Sequence, residues 1–124
     1  MKVQLSVQIG KPNRNGLIYP ESVVRKALDN KMGSPIIVCI GESLTYHISN
    51  AAAKIVGYEF VDKIDSDVTV DMKIMNTIAG QSILDILSSM RMDSVRLIMV
   101  GMGTVTDNIV NDNFRLSHFN IKYV

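Results

Sequence analysis

The chain has 124 residues, with 13 basic and 12 acidic side chains, a formal charge of +1, 47% hydrophobic and 20% charged residues. That composition excludes a disordered chain and predicts one globular domain over residues 1–124. The near-neutral balance excludes an overall electrostatic pull toward nucleic acid or an anionic membrane, and no apolar window approaches the roughly 20 residues of a membrane span.

The lone Cys39 leaves no partner for an intrachain disulfide and is expected to pack as a small hydrophobe. The opening Met1-Lys2-Val3-Gln4-Leu5 lacks a signal-peptide pattern, so an intracellular setting is expected. Charge is unevenly placed. Lys2, Lys11, Arg14, Arg25, Lys26 and Lys31 dominate the first part, and Glu59, Asp62, Asp65, Asp67 and Asp71 gather later. Such asymmetry fits two solvated surfaces, or two copies guided into register.

Taken in order, Val3, Leu5, Val7 and Ile9 alternate with polar residues and predict a half-buried strand. The turn-forming run from Gly10 to Gly16 leads to Pro20, placed at the first helical position. Val23, Val24, Ala27 and Leu28 make one helical stripe. Residues 35–40 predict a buried strand, and Gly41 to His47 a loop or short edge strand. A long hairpin follows, with Val56, Tyr58 and Phe60 on one arm, Val68, Val70, Met72 and Ile74 on the other, and Lys63 to Asp67 as its turn.

Asn76 or Thr77 caps a second helix, whose core face is predicted to be Ile83, Leu84, Ile86, Leu87 and Met90. Val95 to Val100 reads as a central strand, residues 104–110 pair again, and residues 114–123 form a last strand with Phe119, Ile121 and Tyr123 on one face. The expected fold class is α+β: a mostly antiparallel sheet or small barrel of about seven strands, with two helices.

The residues offer little obvious chemistry. Two histidines and one cysteine contain no short-range ligand pair, so neither a metal nor a cofactor is predicted. Gly101-Met102-Gly103-Thr104 lacks the ending of a phosphate-binding loop and is explained by a bulge or a close backbone approach. His118 lies on a strand pattern and is read as structural. His47 is the better candidate base, with Ser94 or Ser89 as the serines that could serve it, but no nucleophile elbow accompanies them.

The block Asn13-Arg14-Asn15-Gly16-Leu17-Ile18-Tyr19-Pro20, with a helix behind it, resembles the entry segment of the tailed-phage prohead maturation proteases, a family with the herpesvirus-assemblin-like fold. The likeness continues in order. Gly41-Glu42 with His47 looks like the region supplying the catalytic histidine, and Thr77 to Met90, with Gly80, like a helix of the family. Gly101-Met102-Gly103 is similar to the glycine run after the nucleophile, and Asp112 to Leu116 to a strand near the domain's end.

Where the family carries Ser-Ser-Arg before that glycine run, this chain has Ile98, Met99 and Val100. His47 falls about two positions late, and the chain stops at Val124 where the family continues. The resemblance therefore implies a shortened member without the catalytic serine. His47, Ile98, Met99, Gly101 and Gly103 would mark a vestigial site. It implies a non-catalytic phage structural protein, an auxiliary or decoration protein of the capsid that binds the capsid protein or itself, in the virion or host cytoplasm. Its methionines, among them Met75, Met90, Met92, Met99 and Met102, suit either core or adaptable contacts.

Two other functions stay open. One is an active serine protease using His47. The other is a phage anti-defence protein that sequesters a nucleotide signal, with Arg14, Arg25 and Lys26 as anion-binding residues.

Overall fold

A computed structural model describes residues 1–37, 48–61, 68–89 and 94–123. Cys39, the Gly41–His47 segment, the Lys63–Asp67 turn, Met90 and Met92 lie outside the described residues. The described elements, in order, are β1 (Lys2–Leu5), α1 (Glu21–Asn30), β2 (Pro35–Ile37), a 3₁₀ turn (Ile48–Asn50), β3 (Ala51–Phe60), β4 (Val68–Ile74), α2 (Ile78–Leu87), β5 (Val95–Met102), β6 (Val105–Thr106), β7 (Ile109–Val110) and β8 (Arg115–Tyr123).

Six strands close into a barrel in the order β1-β4-β3-β2-β8-β5, and β6 and β7 form a separate two-stranded hairpin. The α+β class holds, but the sheet is mixed where a mostly antiparallel one was expected. β1 runs parallel to β5, and β2 parallel to β8. Both seams join segments far apart in sequence, and side-chain alternation is the same for either direction of pairing.

The interior is apolar and continuous. Leu5, Ile36, Ile55, Val70, Met72, Leu97, Phe119 and Ile121 are all essentially inaccessible to solvent. Helix α1 behaves as its stripe requires, with Val23, Val24, Ala27 and Leu28 buried. Pro20 is its N-cap, one position before the first helical residue. Outside that stripe Arg25 lies over the Phe60 ring, 4.2 Å from its centroid, and the Tyr58 hydroxyl donates to Asp29. These contacts fasten α1 to the far end of β3.

Two expected faces are corrected. The β3–β4 register shifts between Ile55 and Gly57. One extra residue reverses which parity points inward, so Ile55 is buried while Val56, expected beside Tyr58 and Phe60, is 51% exposed. On α2 the buried positions are Gly80 and Ile83. Leu84, expected in the core, is 40% exposed, and Ile86 is half-buried. The helix is rolled so that Gly80 and Ile83 meet the barrel.

Thr77 sets the start of α2. Its Oγ1 accepts the Gly80 N–H at 2.9 Å and donates to the Ala51 carbonyl at 2.8 Å. One side chain thus caps the helix and ties it to the first residue of β3. Thr77→Ala is expected to cost about 1–2 kcal/mol in chemical denaturation, and Thr77→Ser to recover most of it, because the loss is of the hydroxyl.

Candidate functional site

The segment from Gly10 to Pro20 forms a loop pinned by its own polar groups. The Asn13 side-chain oxygen accepts the N–H groups of Asn15 and Leu17 at 2.9 and 3.0 Å, and Asn13 N–H donates to the Leu17 carbonyl at 2.8 Å. Gly16 turns the chain at φ +80°, which a residue with a Cβ rarely adopts. The loop is tied at both flanks. Gly10 N–H reaches the Tyr19 carbonyl, and Ile18 exchanges hydrogen bonds with the β6–β7 hairpin through Asn108 and Val110. That hairpin turns on Asp107 and Asn108, both at positive φ, as a two-residue hairpin turn requires.

Phe114 joins three segments. Its ring meets Tyr19 edge-on at 5.7 Å and 87°. A Cβ at Gly101 would lie 2.7 Å from the same ring, and one at Gly103 2.9 Å from the Phe114 Cα. The β5–β8 register shifts between Val100 and Gly101. The extra residue is Ser117 on β8, so the glycine run is regular strand opposite a β8 bulge, with the Phe114 ring packed onto it. The loop block, the glycine run and the segment before β8 share one corner.

Between this loop and β5 lies a groove of about 720 Å³. Its loop wall carries Gln8, Asn13, Arg14, Asn15 and Tyr19, and its floor is Ile98, Met99, Val100 and Gly101, with Arg96 and Lys122 toward one end. Burial raises the Tyr19 hydroxyl above the ordinary tyrosine value, so it stays protonated at neutral pH. The described lining residues include three cations, Arg14, Arg96 and Lys122, and no carboxylate.

The candidate residues separate on this map. Ile98, Met99, Gly101 and Arg14 line the groove, while Gly103 sits behind it against Phe114. His47 lies outside the described residues. Arg25 faces Glu21 at 3.6 Å and the Phe60 ring, and Lys26 donates to the Asp112 carbonyl at 3.4 Å. Those contacts point Arg25 and Lys26 to different neighbours, and neither lines the groove that holds Arg14.

Arg96, Lys122, Gln8 and Ser6 also line the groove, and sequence reasoning missed all four. Only the path of β1 past β5 identifies them. The helical serines are occupied locally: Ser82, Ser88 and Ser89 donate to the carbonyls of Ile78, Asp85 and Ile86. His118 is fully buried on β8, with its Nδ1 2.9 Å from the Ser117 hydroxyl. Among the described residues no cluster of ligating side chains could hold a metal ion, and no helix is long and apolar enough to cross a membrane.

No family model and no curated protein sequence matches this chain. Among solved structures it is similar to the bacteriophage T4 capsid assembly protease, gp21, with a TM-score of 0.72 over 99% of this chain and 82% of that one. Sequence identity is 16%. The likeness establishes a shared protease-type fold.

Proposed function

We propose that this protein is a non-catalytic phage structural component, an auxiliary or decoration protein of the capsid that works through contacts with the capsid protein or with further copies of itself. The observation that carries the reading is the groove floor. Ile98, Met99 and Val100 stand on β5 immediately before Gly101, where the resembling protease family has its serines and arginine. A hydrocarbon or thioether has no proton for a base to remove and no lone pair suited to attack a carbonyl. The groove, the loop and the glycine run together keep the shape of a binding surface without the reacting group. Similarity in fold to a phage capsid assembly protease supports the capsid setting.

Mass spectrometry of purified particles from the source phage tests the setting. The chain is expected at a fixed stoichiometric ratio to the capsid protein, and its absence from particles would overturn the capsid role. A fluorogenic casein assay tests the chemistry. No hydrolysis above background is expected, whereas hydrolysis abolished by His47→Ala would restore the protease reading.

A further inference from the structure

We propose that the outer face of the β3–β4 hairpin binds a second copy of this chain, packed face to face with its strands reversed. The proposal rests on the reading of this protein as one that works through protein contacts, and it places one such contact.

The core takes Ile55, Val68, Val70 and Met72. Strand alternation and the pairing register therefore turn Lys54, Gly57 and Glu59 outward together with Thr69, Asp71 and Lys73. Charge changes sign along this face. Lys54 and Lys73 stand directly opposite each other at one end, and both are exposed. Like charges so placed repel, and among the described residues neither has a carboxylate partner. Glu59 lies toward the other end, about 14 Å along the ladder. Its ion pair with Lys2, at 3.6 Å, is exposed on both sides, and such a pair contributes little.

Between the charged ends the face has relief. The extra residue of the β3 bulge leaves Val56 51% exposed. The next residue is Gly57, which borders a hollow of about 210 Å³ together with Thr69 and Asp71. A Cβ at Gly57 would meet only the Asp71 Cβ, at 3.8 Å. A projecting apolar side chain thus stands beside a cavity.

The order of these features reads the same from both ends. Lys54 is two positions before Val56, and Glu59 is two positions after Gly57. A two-fold axis crossing the strands between Val56 and Gly57 sets each Val56 over the partner's Gly57. The same operation brings each Lys54, with Lys73 beside it, to the partner's Glu59. Such a contact is isologous and closes as a dimer. Two strands offer less than the roughly 800 Å² per partner of a tight complex, so association is weak and rises with concentration.

Sedimentation equilibrium of the full chain tests this, from about 10 to 500 µM. A reversible monomer–dimer equilibrium is expected, weakened by salt at about 0.5 M. The double variant Lys54→Glu/Lys73→Glu and the single variant Glu59→Lys are each expected to lose self-association by about tenfold or more. Mixing these two variants should restore dimers, because opposite charges then face each other again. Val56→Ser is expected to weaken the dimer about tenfold, since the two-fold loses the contact twice.

All four substituted positions are exposed, so the variants keep the fold, which circular dichroism verifies. A chain that stays monomeric across this range would overturn the proposal. So would a dimer indifferent to the charge reversals or to Val56→Ser, or a mixture that associates no better than its components. Failure here leaves the particle measurement unaffected, and absence from particles leaves the dimer result standing.

Discussion

Gly80→Ala is expected to be among the most destabilising single-methyl additions in this chain. A Cβ at Gly80 would lie 2.0 Å from the Met75 carbonyl oxygen and 3.0 Å from that of Ala52. Both obstacles are backbone, so no rotamer change relieves them. The same two residues are hydrogen-bonded to each other, Met75 N–H to the Ala52 carbonyl at 2.8 Å, and moving either strains the junction of β3, β4 and α2. Helix propensity pulls the other way, since alanine is favoured over glycine by about 1 kcal/mol. The steric term is larger. A net loss of about 3 kcal/mol is expected in urea denaturation. Gly57→Ala is the control: its Cβ would meet only the Asp71 Cβ at 3.8 Å, and stability should stay within about 0.5 kcal/mol of wild type.

Gly80 also shows where the sequence was legible and where it was not. The second helix and its Thr77 cap follow from local chemistry, but the face that docks does not. Leucine and isoleucine nearly encircle α2, so periodicity admits several buried stripes, and a glycine carries no hydrophobic weight in any of them. Close approach to β3 selects the face with the smallest residue. In α1 the polar side is unambiguous, and all four expected residues are buried.

Strand β3 failed for a different reason. Its bulge at Ile55–Gly57 shifts the alternation by one residue, and no turn signal marks it. Barrel closure was legible only as an alternative, because parallel seams join segments remote in sequence. The candidate site divides in the same way. Arg14, Ile98, Met99 and Gly101 sit in recognisable blocks, whereas Arg96 and Lys122 belong to the groove only because β1 leaves β5 after Ser6.

The corner under the loop yields the second large effect. Gly101→Ala would place a Cβ 2.4 Å from the Arg115 carbonyl and within 2.9 Å of two Phe114 ring atoms, so two obstacles of different stiffness oppose it. A loss of about 3 kcal/mol is expected. Phe114→Ala removes a ring that is 7% exposed, together with its edge contact to Tyr19, and is expected to cost about 3–4 kcal/mol. The double variant separates the two obstacles. With the ring gone its clash disappears, but the carbonyl clash stays, because Arg115 is held by the β5–β8 ladder. The double variant should therefore lose about 1–2 kcal/mol less than the sum of the single losses, while remaining less stable than Phe114→Ala alone. Full additivity would show that the ring does not press on the glycine. Complete relief would show that the β5–β8 junction at Gly101 can move freely, and the floor of the groove would then not be rigid.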